Sequence, residues 1–136
     1  MLAPEEIDSL ARIAVDCGYR LHCDLGPGLL ESAYEALMFE GLRRKGLSVA
    51  RQTIIPLSYD GIIVDAAFRA DLILEGALLL EIKSVERNAP VHGKQVLTYL
   101  RLANLPLGIL MDFGMHTFKE GVRRIANGHH ESPIIS

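Results

Sequence analysis

Residues 70–85 read ADLILEGALLLEIKSV, and this stretch decides the fold. Aliphatic residues on both sides of Glu75 and Gly76 predict two buried strands that are joined by a tight turn. Glu81 and Lys83 interrupt the second strand, although burying a lone charge costs several kcal/mol even after the surroundings relax. These charged residues therefore either face water from an edge strand or lie in a pocket that uses their charge.

The register of this hairpin decides where Asp71 lies. Side chains alternate along a strand, so Glu81 and Lys83 share one face. A three-residue loop centred on Gly76 places Asp71 directly opposite Glu81, whereas a two-residue loop pairs Asp71 with Leu80 and turns Glu81 to the other face. Three-residue loops commonly carry glycine in the left-handed conformation. In that register, two carboxylates and one ammonium group meet at one point of the sheet.

Such a cluster has a chemical use and a plain structural alternative. Two close carboxylates repel each other unless a cation neutralises them, and Mg²⁺ typically binds one or two carboxylates together with waters and phosphates. Lys83 could hold a phosphate oxygen or activate an attacking water, as in metal-assisted phosphodiester hydrolysis. The alternative is a cross-strand salt bridge of Lys83 with Asp71 or Glu81 on a solvated face, which contributes about 0.2–1 kcal/mol.

The remaining pattern predicts one α/β domain. Helical spacing covers 4–24, 29–45 and 92–103. Extended patterns predict strands near 47–51, 53–59, 62–68, 70–75, 77–85 and 107–113, followed by a short strand or turn at 116–125. Merging of two of these strands into one stays open. Pro56 indicates an edge strand or a bulge. This order predicts an α/β sandwich with one mixed sheet and a crossover helix. We expect a single domain over 1–126 and a flexible C-terminal tail over 127–136.

Two predicted helices carry polar residues at spacings that suggest a shared pocket. Glu31 and Tyr34 lie three residues apart near the start of the second helix, and therefore on one face. In the third helix His92, Gln95 and Tyr99 form one stripe. Each residue alone also has a structural interpretation: Glu31 complements the helix dipole, and Tyr34 belongs to the core.

The net charge and the hydropathy of the chain exclude some classes of function. The net charge of −3 does not indicate a general nucleic-acid binder, so phosphate contacts need a local patch. Arg43, Arg44, Lys45 and Arg51 form one candidate patch, and Lys119, Arg123 and Arg124 form another; solvated helix ends explain both equally well. No apolar run approaches the roughly 20 residues that span a bilayer, and no secretory signal is apparent. We therefore expect a cytoplasmic protein.

Four segments together closely resemble the GxxExxY family of the PD-(D/E)XK nuclease superfamily. They are LGPGLLESAYEALMFEGLRRKGL, FRADLILEGALLLEIKSV, HGKQVLTYL and LGILMDFG, and the resemblance spans about residues 7–125. It implies a restriction-endonuclease-like fold, in which a central mixed sheet is flanked by helices in an αβββαβ core. Ala70 stands where the name of the superfamily has proline, which is a common variation.

The resemblance also implies residue roles and a cofactor. Asp71 and Glu81 match the metal-binding acids, the carbonyl of Ile82 would complete the protein ligands, and Lys83 matches the catalytic lysine. Glu31 matches an acidic residue near the metal on the first core helix. Gln95 and Tyr99 match a QxxxY motif of related exonuclease domains, where they would position the scissile strand. The implied cofactor is Mg²⁺ or Mn²⁺.

Three functions remain open at this level. The first is a divalent-metal-dependent nuclease that hydrolyses phosphodiester bonds, with DNA favoured over RNA. The second is a catalytically silent binding or assembly module that keeps the nuclease fold and uses Glu31, Gln95 and Tyr99 to hold a small ligand or a partner protein. The third is a small phosphoesterase that acts on a nucleotide. Because a single module bound to nucleic acid usually buries at least about 600–1,000 Å² of its surface, a homodimer or a larger protein partner would supply the surface that a short chain lacks.

Overall fold

A computed structural model describes residues 2–87 and 89–128 of the 136-residue chain. The helices over these residues are α1 (Pro4–Leu25), α2 (Glu31–Arg44), α3 (Pro90–Ala103) and the short α4 (Phe118–Gly121). The strands are β1 (Val49–Tyr59), β2 (Ile62–Leu74), β3 (Leu78–Lys83), β4 (Leu107–Asp112) and β5 (Val122–Ala126). Within the described ranges no helix is both long enough and apolar enough to cross a membrane.

The strands form one mixed sheet in the order β1-β2-β3-β4-β5. All neighbours are antiparallel except β3 and β4, which run parallel and are joined by α3 as the crossover helix. A parallel pair requires such a crossover, because a tight turn cannot return the chain to the same end of the sheet. The predicted α/β sandwich with a restriction-endonuclease-like arrangement is confirmed.

Each face of the sheet has its own apolar core. Residues from α1 and α2 pack with Leu78, Leu80 and Ile82 on one face. Residues from α3 pack with Leu79 and Leu110 on the other face. This two-sided burial explains why β3 reads as a nearly continuous apolar run. Glu81 is only 6% exposed and β3 is the central strand, so Glu81 does not face water from an edge strand.

Two pairs of predicted strands are single strands. The predicted segments 47–51 and 53–59 merge into β1, and 62–68 and 70–75 merge into β2. Gln52 adopts a left-handed φ of 53°, and the β1–β2 register shifts between Ile55 and Leu57. These irregularities bend the strand without ending it, and β1 lies at the edge of the sheet, as Pro56 predicted.

Asn127 is the first residue of the predicted tail. Its side-chain amide donates hydrogen bonds to the carbonyls of Leu100 and Leu105. Residues 129–136 of the tail predicted over 127–136 lie outside the described residues, as does Asn88.

Candidate active site

The β2–β3 hairpin has the three-residue register. Leu72 pairs with Leu80 and Leu74 pairs with Leu78, which leaves 75–77 as the loop. Gly76 takes a left-handed φ of 63°, as this kind of turn requires. The next step along the ladder sets Asp71 opposite Glu81. The predicted register is confirmed, and the two carboxylates lie on neighbouring strands.

The loop of this hairpin is held against β1 by Glu75. One carboxylate oxygen of Glu75 accepts a hydrogen bond from the amide of Ser48 at 2.6 Å, and the amide of Glu75 donates to the carbonyl of Ser48 at 2.8 Å. Glu75 also adopts a left-handed φ of 52°. This double contact fixes the turn that sets the register of the two acids.

Asp71 and Glu81 each accept a backbone hydrogen bond from the opposite strand. The amide of Asp71 donates to Oε2 of Glu81 at 3.2 Å, and the amide of Ile82 donates to Oδ2 of Asp71 at 2.8 Å. Both side chains are therefore oriented by the main chain. The role of the Ile82 carbonyl as a metal ligand stays a prediction.

Burial and the neighbouring Asp71 raise the pKa of the two glutamates of the cluster. Burial, a side-chain hydrogen bond with Asp71 and the charge of Asp71 raise the pKa of Glu81 to about 9, while Lys83 acts in the opposite direction. Burial is also the main cause that raises the pKa of Glu31; the charge of Asp71 adds to it, and Lys83 lowers it. Asp71 and Lys83 thus act electrostatically on both glutamates.

Lys83 lies at the end of β3, and its ammonium group does not pair with the two acids. Across the part of the chain that the structure describes, no ion pair joins Lys83 to Asp71 or Glu81. The cross-strand salt bridge is therefore not formed. Lys83 remains partly exposed, which is the condition for an ammonium group that contacts a substrate.

Glu31 begins α2 and opens onto a shallow cleft beside Asp71. The cleft has a volume of about 510 Å³ and is lined by Leu30, Glu31, Ser32, Glu35, Gln52 and Asp71. Over residues 2–87 and 89–128, however, no three His, Cys, Asp or Glu side chains are grouped closely enough to hold a metal ion. The structure brings Asp71 and Glu81 into contact and leaves Glu31 across the cleft.

The donors nevertheless suit a hard divalent cation. All of the predicted ligands are oxygens, which Mg²⁺ and Mn²⁺ prefer. Glu81 is buried beside a second carboxylate, and a cation is the usual means of keeping two such groups charged. The residues that would hold the ion are Asp71 and Glu81, with Glu31 on the open side.

The third helix presents Tyr99 and Gln95 to the same cluster. Burial raises the pKa of Tyr99, the charges of Glu81 and Asp71 add to this effect, and a side-chain hydrogen bond with Gln95 lowers it. The ring of Tyr99 stacks on Phe68 of β2, with centroids 3.8 Å apart and planes within 4°. The predicted pair therefore lies near the acids, with Tyr99 fixed by its stacking.

His92 does not join this group through any hydrogen bond in the described structure. It lies in the first turn of α3, and its Nδ1 is buried without a hydrogen-bond partner. Of the three residues in the predicted stripe, Gln95 and Tyr99 therefore lie near the acids. His92 makes no hydrogen bond to the acids in the described structure.

Tyr34 has a structural role. Its hydroxyl donates to the carbonyl of Gly26 and accepts from the amide of Leu29 at 3.2 Å. Its ring is fully buried and stacks on Phe113, with centroids 4.4 Å apart. Tyr34 therefore holds the glycine-rich loop that leads into Glu31, and the core interpretation of this residue is correct.

Two residues that the sequence did not single out, Glu35 and Gln52, support Asp71. Gln52 lies opposite Asp71, since the flanking pairs are Arg51 with Leu72 and Thr53 with Ala70. Its side-chain amide donates to Oε1 of Glu35 at 2.7 Å and to Oδ1 of Asp71 at 3.3 Å. Arg51 donates to the other oxygen of Glu35 at 2.8 Å.

A sequence signal for Glu35 did exist. Glu35, Met38 and Leu42 lie at i, i+3 and i+7, and all three are buried. A carboxylate within an otherwise apolar helical stripe needs partners, because buried charges are normally paired. Gln52 gave no such signal, because its role depends on a left-handed backbone conformation.

Asp112 is a further buried acid next to the candidate site. It is fully buried at the end of β4, directly beside Lys83 in the parallel register. Its Oδ1 accepts hydrogen bonds from the amides of Val85 and Gly114, each at 2.9 Å. Asp112 thereby fixes the chain where it leaves β3, immediately after Lys83.

The predicted basic patches are largely occupied by intramolecular ion pairs. Arg51 pairs with Glu35 at 2.8 Å, whereas Arg43 and Arg44 both lie within 3.5 Å of Glu40. Arg124 pairs with Asp8, and the guanidinium of Arg123 lies against Gly93. Most of the arginines in the two predicted patches therefore act as solvated or structural cations, and these contacts do not favour phosphate binding by them.

The fold and the paired acids define an α/β protein of nuclease type. A family model of the PD-(D/E)XK nuclease superfamily matches residues 8–125, and the chain belongs to this superfamily. Its nucleases generally use divalent metal ions. Neither the search of curated proteins nor the search of solved structures gave a match. The finer assignment to the GxxExxY family stays a prediction.

Proposed function

We propose that this protein is a Mg²⁺- or Mn²⁺-dependent nuclease that hydrolyses phosphodiester bonds, with DNA favoured over RNA. The observation that carries the proposal is the contact between Asp71 and Glu81 on adjacent strands, with Lys83 two residues further along β3. Membership of the nuclease superfamily supports the same chemistry. The protein belongs, on this proposal, to the GxxExxY family.

The three charged residues have separate roles in this proposal. Asp71 and Glu81 would hold the metal ion, and Glu31 and the carbonyl of Ile82 would be further oxygen ligands. The metal would polarise the phosphate and lower the pKa of a bound water. Lys83 binds a non-bridging phosphate oxygen and stabilises the negative charge that develops there.

Gln95 and Tyr99 act on the substrate side of the acids. Tyr99 cannot rotate freely, because its ring is stacked on Phe68. Its hydroxyl is bound to Gln95, a residue exposed on α3. This arrangement suits a pair that positions the backbone of the scissile strand, since phosphate contacts fix register and orientation.

One observation favours the second candidate function, a silent binding module. Among the described residues, no three acidic side chains lie close enough together to bind a metal ion. On this alternative, the cleft between Glu31 and Asp71 binds a partner protein and no hydrolysis occurs.

Calorimetric titration of Mn²⁺ distinguishes the two functions. We expect wild type to bind Mn²⁺ and Glu81→Gln to lose that binding. Glu40→Gln is the matched control, because Glu40 lies on the same helix as Glu31 and pairs with the surface residues Arg43 and Arg44. Absence of Mn²⁺ binding in wild type would overturn the nuclease proposal in favour of the silent module.

A second variant separates metal binding from catalysis. Lys83→Met removes the ammonium group and keeps most of the side-chain volume. We expect it to bind Mn²⁺ like wild type while cleavage of labelled single- and double-stranded DNA falls by about 100-fold or more. RNA of the same sequence tests the proposed preference for DNA. Equal cleavage by Lys83→Met and wild type would contradict the role of Lys83.

A further inference from the structure

Ser84 connects the end of β3 to the loop that precedes α2. It follows Lys83 directly, and its hydroxyl donates a hydrogen bond to the carbonyl of Leu29 at 2.8 Å. Leu29 lies just before Glu31 in the chain, yet it is separated from Ser84 by 55 positions. This bond therefore links the strand that contains Lys83 to the loop that leads into Glu31.

The loop on one side of this bond has little apolar burial to hold it. Residues 27–30 are exposed, Leu29 by 41% and Leu30 by 76%, so their side chains contribute little hydrophobic stabilisation. Hydrogen bonds hold the loop instead. The amide of Leu29 donates to the hydroxyl of Tyr34 at 3.2 Å, and the carbonyl of Leu29 accepts from Ser84.

The strand end on the other side of the bond is fixed to β4. The amide of Phe113 donates to the carbonyl of Lys83 at 2.8 Å. The amide of Val85 donates to Oδ1 of Asp112 at 2.9 Å. Both neighbours of Ser84 in the chain are therefore held in place, and Ser84 gives the loop a fixed point of attachment.

The backbone of Ser84 also contacts Glu31 itself. Burial is the largest cause that raises the pKa of Glu31, whereas the charge of Lys83 and a hydrogen bond from the amide of Ser84 lower it. Glu31 and Ser84 line the same cavity, which has a volume of about 570 Å³. Ser84 thus acts on Glu31 in two ways, directly through its amide and through Leu29 by its hydroxyl.

We propose that Ser84 is a positioning residue, whose hydroxyl holds the loop so that Glu31 reaches the metal ion that Asp71 and Glu81 would bind. This inference rests on the proposed nuclease function, because it requires a metal ion at those two acids. In this role Ser84 contacts neither metal nor substrate. The hydroxyl is the specific element, since any residue other than proline supplies an amide at this position.

Calorimetric titration of Mn²⁺ into variants of Ser84 tests this role. We expect Ser84→Ala to raise the Mn²⁺ dissociation constant about 10-fold, as for other residues that orient a metal ligand. Ser84→Thr keeps a hydroxyl and should bind like wild type. Thr98→Ala is the matched control, because the exposed hydroxyl of Thr98 also donates to a backbone carbonyl, that of Lys94 in α3. An equal loss of affinity in Ser84→Ala and Ser84→Thr would contradict the role of the hydroxyl.

A second background separates positioning of Glu31 from a general structural effect. Glu31→Gln removes the charge of Glu31 and keeps Asp71 and Glu81. If the hydroxyl acts through Glu31, Ser84→Ala should weaken Mn²⁺ binding in wild type and cause no further loss in Glu31→Gln. The same fold loss in both backgrounds would overturn the role of Ser84, because the hydroxyl would then act independently of Glu31.

The same titrations distinguish failure of this inference from failure of the nuclease proposal. Absence of Mn²⁺ binding in wild type would overturn the nuclease proposal and the role of Ser84 with it. Wild-type binding that Ser84→Ala leaves unchanged would overturn the role of Ser84 alone. Thermal unfolding of each variant confirms that a loss of affinity is measured on folded protein.

Discussion

The side-chain amide of Gln52 donates a hydrogen bond of 3.3 Å to Oδ1 of Asp71. The same amide nitrogen contacts Glu35 at 2.7 Å, so Gln52 connects a candidate metal ligand to helix α2. Gln52 reaches both carboxylates from a left-handed backbone conformation with φ of 53°. Such a conformation costs a non-glycine residue roughly 1–2 kcal/mol, and strain of this kind is commonly found at functional sites.

We expect Gln52→Ala to lower Mn²⁺ affinity or cleavage by about 10–100-fold, as for other residues that orient a metal ligand. Gln52→Gly is the matched variant, because glycine relieves the backbone strain and also lacks the amide. Calorimetry and cleavage assays on both variants separate the effect of losing the side-chain amide from the effect of relieving the backbone strain. Full activity of Gln52→Gly would show that the side-chain amide does not position Asp71.

Tyr34→Phe should destabilise the loop that precedes Glu31. The variant keeps the stacking on Phe113 but leaves the carbonyl of Gly26 and the amide of Leu29 without the hydroxyl. We expect a loss of about 1–3 kcal/mol in the free energy of unfolding, measured by urea denaturation. Tyr59→Phe is the control for loss of a tyrosine hydroxyl at an exposed position, and a loss of equal size in both variants would contradict this role of Tyr34.

The acids of the candidate site were predictable because their relationship is local. Gly76 sets a hairpin register that depends on the few residues around it, and that register alone places Asp71 beside Glu81. The same holds for the helical spacing of Gln95 and Tyr99. Burial was harder to predict. Glu81 is only 6% exposed, and Leu79 on the same face of β3 packs in one core cluster with Val96 and Leu100 of the distant helix α3.

The supporting residues were not predictable for the same physical reason. Gln52 approaches Glu35 only because β1 packs against α2, and no period in the sequence encodes a left-handed residue within a strand. Asp112 reads as the end of an apolar strand, yet its carboxylate accepts from Val85, which is 27 residues away in the sequence. Contacts that join distant segments require the assembled fold.

Asp112→Ala should be among the most destabilising substitutions beside the site. It removes a fully buried carboxylate that accepts from two partly buried backbone amides, those of Val85 and Gly114. We expect a loss of about 2–4 kcal/mol in the free energy of unfolding, because both backbone donors lose their acceptor. Asp112→Asn keeps one carbonyl acceptor at nearly the same volume and should cost less; urea denaturation compares the two. An equal loss would show that the charge matters more than the hydrogen bonds.

The raised pKa of Glu81 predicts how the stability of the metal-free protein changes with pH. The folded-state pKa is about 9, against 4.5 for the ordinary side chain. Between these values the folded state binds more protons than the unfolded state, so stability falls as pH rises. The contribution of this group is fully present below about pH 4.5 and is lost as pH rises through about 9.

Glu81→Gln removes this titration while keeping the shape of the side chain. In the presence of a chelator, we expect Glu81→Gln to exceed wild type in free energy of unfolding by at least about 1 kcal/mol at alkaline pH, with a smaller difference at acidic pH. Urea denaturation at several pH values measures both chains. The control is Glu40→Gln, which replaces an exposed carboxylate and should follow wild type. Parallel pH profiles for wild type and Glu81→Gln would contradict the raised pKa, because the two chains would then bind the same number of protons on folding.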